Sequence, residues 1–178
     1  TTEQGLPDSK LSSVIQDKQG NIIIGSWGGG VSVINKEKVD ALKGSGGNYS
    51  QPIFENFSSL DGLSNDVVYQ ILEDSAGNIV VGTNVGFTVF ENGITNENGE
   101  IDKTNVLNFN ERTGYSIKDI SNNNSMHLDG SGVVWAGTGD KLVRFNYGGI
   151  KTSETPLHLE LESIKINNEQ VSWRSISH

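Results

Sequence analysis

Short β-branched runs bounded by turn residues set the pattern of the chain. Val67-Val68-Tyr69-Gln70-Ile71-Leu72 is one of them, and its length and flanks predict a strand. Asp74-Ser75-Ala76-Gly77-Asn78 then reverses the chain, because aspartate bonds backbone amides ahead of it and glycine takes positive φ without a steric cost. Ile79-Val80-Val81 returns as a second strand, and a further glycine-bearing turn leads to a third, Phe87-Thr88-Val89-Phe90. Val31-Ser32-Val33-Ile34 and Leu142-Val143-Arg144-Phe145 occupy the same place elsewhere, while Pro52 to Phe57 and Asn105 to Phe109 supply fourth strands. Polar, glycine-rich stretches, Lys43 to Asn48 and Asn92 to Glu100, read as surface loops. Val39 to Lys43 reads as a helical turn.

The phrase D-x-x-G-[NV]-[IV]-x-x-G-[ST] occurs three times, starting at Asp17, Asp74 and Asp129, which are 57 and then 55 residues apart. The preceding halves match too. Gly5-Leu6 and Gly62-Leu63 each stand twelve residues before their aspartate, and Gly114-Tyr115 stands fifteen before Asp129, with Asn122 to Asn124 as the insertion. Four antiparallel strands per repeat is one propeller blade, and blades stabilise one another by stacking. The expected fold is therefore all-β: a partial β-propeller of about three four-stranded blades. After Tyr147-Gly148-Gly149 the grammar changes. Leu157 to Leu161 alternates as a strand, the apolar phase slips at Glu162-Ser163 as a β-bulge would make it, and Asn167-Asn168 is a hairpin signal.

Composition narrows the function. The 178 residues carry 13 basic and 22 acidic side chains, a net charge of −9, with no basic block for nucleic acid. Cysteine is absent, which excludes disulfides and thiolate metal sites. No run approaches the ~20 apolar residues of a membrane span, and no signal segment opens the chain. The three histidines, His127, His158 and His178, lack metal spacing, and no serine lies in Gly-x-Ser-x-Gly. No catalytic residue, metal or cofactor is expected.

Each repeated aspartate offers one or two oxygens where a calcium loop needs about six. Asp17 with Gly20, Asp74 with Gly77 and Asp129 with Gly132 are thus read as turn formers. Trp135 reads as core. Trp27, flanked by three glycines after Gly25-Ser26, has two readings: a platform for a sugar ring, or packing against the next blade. Asn84 and Gly139 are its counterparts, and Trp27, Asn84 and Asp140 are the candidate ligand-binding residues.

These repeats resemble two-component-regulator propeller repeats, which read roughly G-L-[PS]-x-x-x-V-x-x-I-x-x-D-x-x-G-N-[IL]-W-[IV]-G-T-x-x-G-[GL]. Gly62-Leu63-Ser64 through Gly86 matches nearly throughout; Gly5 to Asp8, Gly25 to Gly30 and Val134 to Thr138 match in the outer copies. The tryptophan usual in the central strand is present as Trp135 but replaced by Ile23 and Val80. Leu157 to Asn168 resembles the start of the Y_Y_Y immunoglobulin-like domain that follows the last blade in hybrid histidine-kinase sensors of the Bacteroides type. The resemblance implies blades over 1–149 and, over 150–178, the truncated start of that immunoglobulin-like β-sandwich. It further implies a periplasmic sensor fragment, itself not an enzyme, from a membrane-anchored hybrid two-component kinase that detects a glycan-derived oligosaccharide and signals to polysaccharide-utilisation genes. The alternatives are a propeller lyase or sialidase-like hydrolase, and a structural spacer. Three blades do not close a ring of about four to eight, so uncovered edges point to self-association as a homodimer.

Overall fold

The computed structural model describes residues 4–44, 52–120, 124–150, 164–166 and 169–171. The first blade is an antiparallel meander of β1 (Leu11–Gln16), β2 (Ile22–Ser26), β3 (Val31–Ile34) and β4 (Glu55–Phe57), paired in that order. The second repeats it with β5 (Val68–Glu73), β6 (Ile79–Thr83), β7 (Gly86–Phe90) and β8 (Val106–Phe109). The third has three strands among the described residues, β9 (Met126–Leu128), β10 (Val134–Gly137) and β11 (Leu142–Phe145). The chain is an all-β partial propeller. Beyond it, β12 (Ile164–Ile166) and β13 (Glu169–Val171) form a separate antiparallel pair. The expected strand over Leu157 to Leu161, its bulge and the Asn167-Asn168 turn lie outside the described residues.

Stacking explains the second glycine of the repeated phrase. A Cβ on Gly25 would lie 2.5 Å from Val68 Cγ1, and one on Gly82 would lie 2.1 Å from Met126 Sδ. Each glycine is thus the seat on which the next blade rests; a side chain at residue 25 meets the stiff Val68, whereas one at residue 82 requires the flexible end of Met126 to move aside. Around these seats lie two apolar cores. Ile23, Val33 and Phe57 meet Ile71, Val81 and Phe90 between blades one and two. Val80, Phe87 and Phe109 meet Ile120, Val134 and Ala136 between blades two and three. Strand β6 sends Val81 to one core and Val80 to the other, which is why all five of its residues are buried. The first strands of adjacent blades are also tied directly. Ile71 N donates to Ser13 Oγ at 3.1 Å, and Gln70 exchanges two bonds with the Met126 backbone at 2.8 and 3.1 Å.

Four expectations change. Trp135 is half-buried rather than core, because β10 alternates and only Val134 and Ala136 face blade two. The helical turn is a nine-residue helix, α1 (Lys36–Gly44), capped by Asn35, whose Oδ1 accepts from Lys38 N at 3.0 Å. Lys43 and Gly44 therefore belong to α1, not to a loop, and Val39 packs with Ile34 and Ile53 on the first blade. The stretch Asn92 to Glu100 is not wholly surface: it folds back on blade one, burying Ile94 and bridging Thr95 to Ile101, while Asn35 Nδ2 donates to Gly99 O at 3.1 Å. Covering the blade edge requires its own apolar residues, which a polar average over the stretch conceals.

Candidate functional site

Antiparallel meanders put alternate turns at opposite ends of the stack. The β2–β3, β6–β7 and β10–β11 turns share the upper end with the segments leading into β5 and β9; the repeated aspartates share the lower end.

At the lower end, Asp17 Oδ1 accepts from Asn21 N at 2.7 Å, and its Oδ2 accepts from Asn21 Nδ2 at 2.7 Å. Asp74 repeats this with Asn78, both bonds at 2.8 Å. Asp129 takes Val133 N at 3.2 Å; Val133 has no side-chain amide to offer, and Trp135 Nε1 fills the second oxygen at 2.9 Å. That bond explains why the one tryptophan of the central strands lies beside a blade lacking the asparagine. The guanidinium of Arg144 lies over its ring, 5.6 Å from the centroid. Gly20, Gly77 and Gly132 turn at φ 94°, 91° and 77°.

Asp74 has one further partner. The Tyr147 hydroxyl, from the turn after β11, donates to its Oδ2 and locks blade three to blade two. Burial opposes ionisation of Asp74, but the bonds from Tyr147, Asn78 and Ala76 outweigh it and hold the carboxyl below its ordinary value. Burial, with the Asp74 bond, pushes the Tyr147 phenol well above its ordinary range. A depressed carboxyl stabilises the fold at neutral pH and loses that contribution as pH falls below ~4, through its folded value. The raised phenol contributes fully below about pH 10, and that contribution is lost above it. Tyr147→Phe is expected to cost about 1.5–3 kcal/mol at neutral pH and to flatten the alkaline loss, both read from urea unfolding across pH.

The upper end holds the candidate ligand residues. Trp27 is 50% exposed and meets the edge of Tyr69, with ring centroids 6.1 Å apart and planes at 67°. Tyr69 sits where β5 slips register against β6, between Val68 and Gln70, and such a bulge re-aims a side chain. Its hydroxyl donates to Asn84 Oδ1 at 3.4 Å. Trp27 and Asn84 are therefore joined through Tyr69, a residue the sequence reading passed over as one more strand position. A recess of about 400 Å³ beside Trp27 is lined by Ser9, Lys10 and Leu11. Asp140 lies one blade further on and accepts from Thr138 Oγ1 at 3.1 Å, stabilising its own turn. Among the described residues, neither the recess beside Trp27 nor the cleft that Asn84 lines includes it.

Sequence reading also missed a polar set that ties the third and fourth strands of a blade to the segment before its first. Ser32 donates to Asn56 Oδ1 at 2.7 Å, and Asn56 Nδ2 donates to Gly5 O at 2.9 Å; Thr88, Asn108 and Gly62 O repeat this at 2.8 and 2.8 Å. The signal was present, since Asn-Phe recurs at Asn56-Phe57 and Asn108-Phe109.

Among the described residues no group of three or more His, Asp or Glu is placed to hold a metal, and no helix is long and apolar enough to cross a membrane. His158 and His178 lie outside them.

A stack of four-stranded meanders seated on repeated glycines is a propeller repeat array. Residues 62–85, running from the Gly62-Leu63 segment through β5 and β6 into the upper turn, match the two component regulator propeller family. The chain thus carries a two-component-regulator propeller repeat in its second blade. No curated protein matches it in sequence. Among solved structures it is similar to the extracellular domain of BT4673 from B. thetaiotaomicron, described in one structure as a hybrid two component system and in another as a one component system. The first is 22% identical with a TM-score of 0.57, over 94% of this chain and 18% of that one. The second is 22% identical with a TM-score of 0.56, over 78% and 17%. The chain spans less than a fifth of the length of these structures.

Proposed function

We propose that the chain is part of the sensor region of a hybrid two-component histidine kinase, outside the cytoplasm, and that it recognises a glycan-derived oligosaccharide to control polysaccharide-utilisation genes. The observation that carries this is the regulator propeller repeat in the second blade, whose Tyr69 meets the half-exposed Trp27 of the first blade at the upper end. A pyranose offers an apolar face to such a ring, and Asn84 stands within the same contact chain to bond hydroxyls. The fold likeness to an extracellular domain of B. thetaiotaomicron supports the location. In this reading residues 1–149 are the blades and 150–178 open a Y_Y_Y immunoglobulin-like domain that transmits the signal. Ligand on the upper end favours one arrangement of paired sensors. The fragment binds without chemistry, and its uncovered outer blade faces pair two copies as a homodimer.

Calorimetric titration with a panel of oligosaccharides, followed by chromatography of each mixture, tests this. Saturable binding with the sugar recovered whole is expected. Trp27→Ala is expected to weaken it about tenfold with an unchanged melting temperature, since the ring is half in solvent. Cleaved sugar would turn the reading to a lyase or hydrolase, and no binding across the panel would refute it.

A further inference from the structure

The two upper seams are built on one plan, and they differ in charge. Gly30 N donates to Asp66 O at 2.9 Å, and Gly86 N donates to Lys118 O at 3.2 Å, so Lys118 stands where Asp66 does. Phe57 pairs with Val31 as Phe109 pairs with Phe87, which sets Glu111 at the place of Ser59 and Arg112 at that of Leu60. In the first seam Asp66 is satisfied locally. Its carboxylate accepts from Ser59 N at 2.6 Å and from Ser59 Oγ at 2.9 Å, closing the segment on itself. The second seam lacks this closure. Ser59→Glu, Leu60→Arg and Asp66→Lys, taken as a change of seam, add two positive charges, and a cleft of about 410 Å³ opens there. Asn84, Glu111, Arg112, Ile117, Lys118 and Asp119 line it with Val85.

Among the described residues neither Lys118 nor Arg112 is in an ion pair, although Glu111 and Asp119 line the same cleft. Asp119 lies beside Gly139 of the next blade, where a Cβ would come within 3.1 Å of its Oδ2. With Glu111 and Asp119 the lining sums to zero, yet in a chain of net charge −9 Arg112 and Lys118 are two cations at one seam that no ion pair holds. Resting on the sugar-binding reading of the upper end, we propose that this cleft takes the anionic group of an acidic sugar, a uronate carboxylate or a sulfate ester. Arg112 and Lys118 face the anion, the first able to grip it with two parallel N–H groups. Asn84 bonds neighbouring hydroxyls and ties the cleft to the Tyr69–Trp27 contact, so one oligosaccharide reaches both.

The test follows backbone amide shifts of the full chain titrated with glucuronate, glucuronate methyl ester, glucose and inorganic sulfate. Saturable shifts at 84–85 and 111–119 with glucuronate, with sulfate or with both, weakened by added salt and absent with the ester and glucose, are expected. Glucuronate alone identifies a uronate, and sulfate alone a sulfated sugar. The double variant Glu111→Ser with Lys118→Asp rebuilds the first seam's closure in the second; it is expected to keep its melting temperature and bind the anion at least about tenfold more weakly. Equal shifts with the ester or glucose would overturn the acidic-sugar proposal and leave the sugar reading standing. No shift with any of the four, or a double variant that binds as tightly as the parent, would overturn it too, while the Trp27 titration separately decides the sugar reading.

Discussion

Phe57→Ala lowers stability by about 3–5 kcal/mol, the usual cost of removing a fully buried aromatic. Phe57 ends β4, is wholly inaccessible, and meets Phe90 of the next blade edge to face with centroids 5.0 Å apart. Its loss opens a hole between two blades instead of within one sheet, and the rigid meanders on either side have little freedom to collapse into it. Urea unfolding is expected to show a lower midpoint with an unchanged slope. A cost below about 1 kcal/mol, the ordinary effect of a surface change, would mean that the blades are not held together by this core.

Gly25→Val costs about 2–3 kcal/mol by overpacking. The added Cβ alone comes within 2.5 Å of Val68 Cγ1, on a β-branched side chain that is fully buried and stiff at χ1. Gly130→Ala is the control: its Cβ would meet nothing within 4 Å, and the expected change is within about 0.5 kcal/mol. Equal effects at the two glycines would remove the explanation offered for the repeated phrase, because it would mean that Gly25 is as free as a turn glycine.

Much of the fold was readable in advance, and the reason is the repeat. One copy of a strand–turn–strand pattern is ambiguous, whereas three copies in register identify β5, β6 and β7 and their counterparts before any contact is known. What sequence did not reveal depends on which face a neighbour covers. Trp135 looked like core because it stands in an apolar strand, but only one face of β10 meets another blade. Ile94 looked like loop because its neighbours are polar, yet it is completely buried. Tyr69 was invisible as a site residue, since the register slip that turns it toward Trp27 arises from pairing with β6 and not from local spacing. Tyr147 and Asp74 lie 73 residues apart, and nothing local announces their bond. The candidate ligand residues divide in the same way. Trp27 and Asn84 occupy equivalent turns and come together through Tyr69, while Asp140 faces its own turn. The second cleft has no local signature either, because Asn84 comes to Arg112 and Lys118 only through the packing of one blade on the next.

The seam also links architecture to function. Because the blades interlock through glycine seats at the upper ends of β2 and β6, the turns that follow those seats are fixed relative to one another, and Trp27 and the second cleft form one surface. The most direct test is a double-mutant cycle between Gly25→Ala and Val68→Ala in urea unfolding. Removing Cγ1 makes room for the new methyl, so the double variant should be more stable than the sum of the single costs, by about 1 kcal/mol or more. Additive costs would contradict the account, because they would show that residue 25 and residue 68 do not meet across the seam.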